Sequence, residues 1–153
     1  MTHYIAWFDQ LTMHDVALVG GKNASLGEMI SHLAQAGVNV PAGFATTTEA
    51  YREFLNVNGL TDRINQLLNG LDVDDTQALS AAGKAIRGWV LNAALPDALL
   101  QAVSQAYEKL AANSGENVSF AVRSSATAED LVDASFAGQQ ETFLNVVGIE
   151  DVL

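Results

Sequence analysis

Residues 118–127 read Val-Ser-Phe-Ala-Val-Arg-Ser-Ser-Ala-Thr, a stretch in which an apolar pattern changes abruptly into a polar loop. The alternation over residues 118–122 predicts a strand. Arg123 then opens a loop of hydroxyl-bearing and acidic residues that runs to Gly138. Residues 140–147 are rich in Thr, Phe, Leu and Val and predict a partner strand, so the two segments together define a small sheet.

Helical patterns fill most of the chain that precedes this sheet. Apolar residues recur at helical spacing in four segments, residues 24–36, 48–57, 76–94 and 97–112. In the first segment, Leu26, Met29 and Ile30 form the predicted buried face, and a shorter amphipathic segment begins at Leu60. Residues 3–8 predict another short strand. The order of elements predicts one α+β unit, or part of one, with helices packed on a small mixed or antiparallel sheet.

The composition predicts a soluble cytoplasmic protein. The chain has 153 residues and is 49% hydrophobic, which suits about one domain with a core of its own. Its 18 acidic and 7 basic residues give a net charge of -11, which disfavours nucleic acid and membrane surfaces as partners. The lack of cysteine excludes disulfides, thiolate metal sites and cysteine nucleophiles, and no apolar run is long enough to span a membrane.

The stretch Gly20-Gly21-Lys22 precedes the first predicted helix and has the features of a phosphate cradle. Two glycines allow the backbone to approach an anion closely, a helix start offers amide N–H groups, and the lysine adds a positive charge. The pattern is not a Walker loop, because Asn23 follows the lysine where that motif has Ser or Thr. A tight turn with Asn23 or Ser25 capping the helix is the alternative that these residues leave open.

Arg123 heads a second candidate anion site. Its planar guanidinium suits phosphate oxygens, and the three hydroxyl groups in residues 124–127 add neutral donors. The alternative is an ion pair with one of the acidic residues nearby in the sequence, Glu129, Asp130 or Asp133. Composition alone does not separate these two interpretations.

Gly138 and Thr142 lie on a turn into the last strand, which either closes over a nucleotide or forms a simple hairpin. The histidines, His3, His14 and His32, show no catalytic spacing, and no catalytic residue or metal ligand is predicted in this chain. The remaining five basic residues lie in predicted helices, where solvated faces are expected: Arg52, Arg63, Lys84, Arg87 and Lys109.

Three segments resemble one known family. Residues 18–29 (Leu-Val-Gly-Gly-Lys-Asn-Ala-Ser-Leu-Gly-Glu-Met), residues 40–47 and above all residues 120–146 are similar to the N-terminal ATP-binding region of the phosphoenolpyruvate synthases, or pyruvate, water dikinases. The resemblance covers essentially the whole chain. Pyruvate phosphate dikinases and rifamycin phosphotransferases share the Gly-Gly-Lys and Val-Arg-Ser elements.

The resemblance implies an ATP-grasp nucleotide-binding domain that uses ATP and magnesium. By matching motif to motif, Lys22 and Arg123 would contact the phosphates of ATP, while Gly138 and Thr142 would lie in the loop and strand that cover them. Residues 1–153 would be the first part of this domain. Since the helical pattern at residues 149–153 is unfinished, we expect the chain to be cut short at its C-terminus.

In that family ATP phosphorylates a histidine on a swivelling domain, which passes a phosphoryl group to pyruvate on a third domain and yields phosphoenolpyruvate, AMP and phosphate. This chain has no Thr-Cys-His motif, so the phosphohistidine and pyruvate sites would lie elsewhere and the fragment alone would be inactive. The alternatives are the ATP-binding region of a rifamycin phosphotransferase and a non-enzymatic nucleotide-binding or structural module. A homo-oligomer, with another copy covering loop 124–138, also stays open.

Overall fold

The structure is a computed structural model that describes residues 3–33, 37–38, 40–114, 118–128, 130–131, 134–135 and 141–153. The chain divides into two compact units. Unit 1 is built from two separate stretches, residues 1–50 and 98–153, and unit 2 is the intervening residues 51–97.

Helices and short strands make up most of the described residues, as the predicted α+β class requires. The helices are α1 (Val16–Val19), α2 (Gly21–Leu33), α3 (Thr48–Val57), α4 (Leu60–Leu68), α5 (Thr76–Leu91), α6 (Asp97–Ser114) and α7 (Ile149–Val152). The strands are β1 (Ile5–Trp7), β2 (Phe44–Thr46), β3 (Phe120–Arg123), β4 (Asp130–Leu131), β5 (Ala134–Ser135) and β6 (Thr142–Val146). Two 3₁₀ turns, Phe8–Gln10 and Met13–Asp15, connect β1 to α1.

The described strands form three antiparallel pairs, β1 with β2, β3 with β6, and β4 with β5. The predicted pairing of segments 118–122 and 140–147 is confirmed as β3 and β6, with a register irregularity between Phe120 and Val122. Each pair is a separate two-stranded ladder in the part of the chain that is described, rather than a share of one sheet. Short ladders of this kind depend on helix packing for stability.

Helix α2 differs from its prediction at both its start and its buried face. It begins at Gly21, three residues before the predicted Ala24. Its buried residues are Asn23, Ala24 and Gly27, whereas Met29 of the predicted face is 42% exposed. The spacing of the large apolar residues therefore predicted the wrong buried face of α2, because the small residues of this helix are the ones that allow close packing.

The closest packing of α2 is against the segment between the two 3₁₀ turns. A Cβ placed on Gly27 would lie 2.5 Å from both the Cβ and the carbonyl oxygen of Leu11. Leu11 joins Val19, Ala24 and Ala45 in the buried cluster of unit 1. This cluster links α2 to the β1–β2 pair through small side chains.

A carboxylate on α2 holds the second 3₁₀ turn. The Oε2 atom of Glu28 accepts a hydrogen bond from the backbone N–H of Met13 at 3.1 Å, and Oε1 lies 2.8 Å from His32 Nε2. The Met13 bond is the main reason that the pKa of Glu28 is lowered, and the His32 bond acts in the same direction. The Thr12–Asp15 capping box closes the same turn.

Helix α6 contributes a full buried stripe to unit 1. Leu99, Val103, Ala106 and Leu110 are each less than 9% exposed and follow helical spacing. Tyr107 packs on Phe120 of β3 with ring centroids 5.1 Å apart, which connects this helix to the sheet pair that carries Arg123.

Unit 2 consists largely of helices, and α4 packs on α5. Asp75 caps the start of α5, because its Oδ1 accepts from the N–H groups of Gln77 and Ala78 at 3.0 and 2.9 Å. Among the described residues, no helix combines the length and apolar character needed to cross a bilayer.

Two helical glycines give a matched test of this packing. Gly88→Ala, on α5, meets no atom within 4 Å and should raise the free energy of unfolding by about 0.5–1 kcal/mol through helix propensity. Gly27→Ala gains the same propensity but overlaps the Leu11 backbone, so we expect a net loss of about 1–3 kcal/mol. Urea denaturation of both variants measures the difference, and equal stabilisation by the two would contradict the packing described here.

Candidate functional site

The Gly-Gly-Lys motif forms a junction between two helices instead of an open loop. Gly20 has φ 80° and ψ 163°, a conformation that favours glycine, and it separates α1 from α2. Lys22 is the second residue of α2 and is half-buried, so the expectation that it precedes this helix is wrong. The lysine lies within the first helical turn, where amide N–H groups point out of the helix end.

The capping alternative for this motif is also wrong. Asn23 and Ser25 both lie inside α2. The Asn23 side chain is buried and its Nδ2 donates to the carbonyl oxygen of Val19 at 2.8 Å, which ties the second helix back to the first. The motif is therefore a corner between two helices, and the Asn23 side chain stabilises it by bonding to the backbone of α1.

This corner is packed directly on the loop that follows Arg123. The backbone N–H of Gly21 donates to the carbonyl oxygen of Ala126 at 3.1 Å. A Cβ on Gly20 would lie 2.9 Å from both the backbone nitrogen and the carbonyl oxygen of Ala126, and it would overlap the hydroxyl of Ser125. Glycine is required at Gly20 both by its positive φ and by this contact. Two motifs far apart in sequence thus share one junction.

Arg123 and Thr142 lie beside the same junction. They are direct partners in the antiparallel β3–β6 ladder and both are exposed. Cross-strand partners of this kind place their side chains on one face of the ladder, with Cα atoms about 4.5–5.5 Å apart. The structure therefore brings three of the four predicted site residues, Lys22, Arg123 and Thr142, into one region of unit 1.

The remaining predictions at this site fall on other parts of the chain. Gly138 lies outside the described residues, as do Glu129 and Asp133 and the side chain of Asp130. The ion-pair alternative for Arg123 is therefore untested. Within the described part of the chain no cluster of three or more His, Asp or Glu residues is arranged to hold a metal ion.

Ser125 is the site residue that the sequence did not single out. Its hydroxyl oxygen is buried and has no hydrogen-bond partner among the described residues. A buried hydroxyl without a partner costs free energy of the order of 1–3 kcal/mol. The sequence shows a hydroxyl-rich loop, but only the approach of Gly20 determines which hydroxyl is buried.

Replacing this hydroxyl should stabilise the protein. Ser125→Ala removes the unpartnered group with little change in volume, so we expect the free energy of unfolding to rise by about 1 kcal/mol. The exposed Ser119, in the same unit, is the matched control, and Ser119→Ala should change stability by less than about 0.5 kcal/mol. A loss of stability in Ser125→Ala, measured by urea denaturation, would show that the hydroxyl is bonded in solution.

The chain is similar in sequence to known proteins over its whole length. Residues 16–153 match the family described as "Pyruvate phosphate dikinase, AMP/ATP-binding domain". The chain is 59% identical over its full length to the phosphoenolpyruvate synthase of Pseudomonas aeruginosa, and the match covers 19% of that protein. It is 62% identical over 146 residues to the phosphoenolpyruvate synthase of Deinococcus radiodurans, a match that covers 95% of the chain and 18% of that protein. It is 55% identical over 149 residues to the phosphoenolpyruvate synthase of Escherichia coli, a match that covers 97% of the chain and 19% of that protein.

These relatives confirm the resemblance to phosphoenolpyruvate synthases and do not favour the rifamycin phosphotransferase alternative. The chain spans about a fifth of the length of the curated relatives that it matches, 19% in the first case. The matched region contains both junction motifs, from α1 and α2 to β3 and β6. The chain belongs to the pyruvate phosphate dikinase AMP/ATP-binding domain family.

Proposed function

We propose that residues 1–153 are the first part of the ATP-grasp domain of a phosphoenolpyruvate synthase, and that the junction described above holds the phosphates of ATP. The single observation that carries this proposal is the hydrogen bond from Gly21 to Ala126, because it joins two separately weak anion motifs at one point. A polyphosphate needs several donors at once, and one glycine turn or one arginine would not supply them.

Each residue has a distinct role in the proposal. Lys22 supplies a positive charge at the start of a 13-residue helix, where the helix dipole also favours an anion. Arg123 supplies a planar fork that fits two phosphate oxygens. Thr142 adds a neutral hydroxyl donor opposite the arginine. Gly138 would contribute to the loop that covers the phosphates.

Magnesium is part of the proposed reaction, since it would neutralise charge on the transferred phosphoryl group. The described residues contain no three-carboxylate or histidine cluster that fits a metal ion, so we assign no ligand and no step to it here. The ion would be held by ATP and by residues outside the described part of this chain.

Exposed apolar residues support the proposal that more of the domain packs on this unit. On β6, Phe143 is 57% exposed and Leu144 is 66% exposed, and Val147 just after the strand is 57% exposed. Phe143 and Leu144 are neighbours on one strand and face opposite sides of the β3–β6 ladder, so both of its faces carry exposed apolar side chains, which is typical of a surface that another segment or chain covers. Because the phosphohistidine and pyruvate sites would lie in that further sequence, the whole reaction belongs to the longer enzyme.

The complete enzyme tests the roles of the two cations. Lys22→Ala and Arg123→Ala should each reduce pyruvate-dependent AMP formation by at least about 100-fold, because losing a preorganised donor to phosphoryl charge costs about 2.7–4 kcal/mol. Arg123→Lys keeps the charge but loses the fork, and should recover only part of the rate.

Arg52→Ala is the matched control for charge, since Arg52 is exposed on α3, and it should change the rate by less than about threefold. Lys109 is unsuitable for this purpose. Lys109 is exposed, as expected for a solvated helix face, but its Nζ lies 4.5 Å from the Trp7 ring centroid. Near-native rates in folded Lys22 and Arg123 variants, checked by circular dichroism, would refute the site.

The chain alone separates this proposal from a nucleotide sensor or structural module. It should release no AMP from ATP and pyruvate, because the histidine acceptor is proposed to lie in another domain. AMP release by the purified 153-residue chain would contradict the proposal that the histidine acceptor lies in another domain. Tight, saturable ATP binding without any turnover in the complete enzyme would favour the nucleotide sensor. A chain that neither binds ATP nor needs Lys22 in the complete enzyme would favour the structural module.

A further inference from the structure

A groove with a mixed polar and apolar lining lies entirely within unit 2. It occupies about 730 Å³ beside the packed helices α4 and α5. Its lining includes Asn58, Arg63, Lys84, Trp89 and Asn92. None of them belongs to the ATP site proposed above, and the volume is within the usual range of small-molecule sites.

The groove is locally cationic in a strongly acidic chain. Its lining includes Arg63 and Lys84 and no acidic residue, although the whole chain has a net charge of -11. Within the described ranges, neither Arg63 nor Lys84 has a carboxylate within the 4.0 Å of an ion pair. Two cations that line one groove without anionic partners favour an anionic ligand.

Arg63 is held in place by an aromatic ring. Its guanidinium carbon lies 3.8 Å from the centroid of the Trp89 ring, while the residue is exposed as expected for a solvated helix face. Stacking on an aromatic face orders a guanidinium while its N–H groups remain directed outward in the plane. An ordered fork of this kind suits a phosphate or carboxylate group.

Two asparagines complete the polar lining. Asn58 Nδ2 donates to the carbonyl oxygens of Phe54 and Ala94 at 2.8 and 3.0 Å, and Asn92 Nδ2 donates to that of Gly88 at 2.6 Å. With both amide nitrogens bonded to the backbone, each side chain contributes its Oδ1 atom as an acceptor. Amide acceptors beside two cations complement a ligand that carries hydroxyl groups as well as negative charge.

We propose that this groove binds a small phosphomonoester of a polyhydroxy compound, such as a sugar phosphate. The phosphate group would be bound by Arg63 and Lys84, and the ligand hydroxyls would donate to Asn58 and Asn92. The proposal uses no residue of the ATP site and does not depend on it.

Tryptophan fluorescence measures binding at this groove directly, because the chain has only two tryptophans and Trp89 is one of them. In a Trp7→Phe chain, ribose 5-phosphate should change the Trp89 emission saturably, while ribose should not. Inorganic phosphate carries the anion without the sugar, and gluconate carries hydroxyl groups with a carboxylate in place of the phosphate. Each should bind at least about tenfold more weakly than ribose 5-phosphate. Isothermal titration calorimetry of the unmodified chain gives the same affinities if the Trp7 replacement disturbs folding.

Matched variants locate the site. Arg63→Lys and Lys84→Gln should each weaken ribose 5-phosphate binding by about tenfold or more, and Arg52→Gln, outside the groove, should have less than about a twofold effect. The double variant Lys22→Ala/Arg123→Ala should bind ribose 5-phosphate normally, which separates this groove from the ATP site. Lack of saturable binding, or unchanged affinity in both groove variants, would overturn the site. Equal affinity for inorganic phosphate or gluconate would overturn the ligand class.

Discussion

The contact between the Gly20-Gly21 corner and the backbone of Ser125 and Ala126 is the constraint on which unit 1 depends. It is a backbone-to-backbone contact, with a hydrogen bond from Gly21 to Ala126 and no room for a side chain on Gly20. Because it involves the main chain of both partners, it fixes where α2 begins relative to the end of β3 more firmly than a side-chain contact would. The positions of Lys22 and Arg123 follow from it.

Charge distribution is the second theme of the structure. A chain with a net charge of -11 repels phosphates at long range, so an anion site must act through local donors at short distance. In each of the two proposed sites, one of the cations is carried by a helix. Lys22 lies on α2 in the ATP site, and Arg63 lies on α4 in the groove of unit 2. In both, neighbouring packing restricts the backbone or the side chain before any ligand is present, which lowers the entropic cost of binding.

Local signals in the sequence predict the elements better than they predict the contacts. Helix α3 occupies the predicted residues 48–57, Asp75 caps α5, and β3 pairs with β6, because periodicity, capping and alternation depend on neighbouring residues. The start of α2 and its buried face were predicted wrongly, since both depend on the approach of Leu11 and Ala126 from distant parts of the chain. The burial of the Ser125 hydroxyl and the stacking of Arg63 on Trp89 have the same origin and no local signature.

The division of unit 1 into two stretches has a consequence for how the protein is made. Residues 1–50 leave the ribosome long before residues 98–153, and unit 2 is synthesised between them. During that interval the Gly20 corner lacks the strand-end loop on which it packs. The nascent amino-terminal segment therefore has to remain free of aggregation until its second half is translated, while the helices of unit 2 make largely local contacts and are able to form as soon as they emerge.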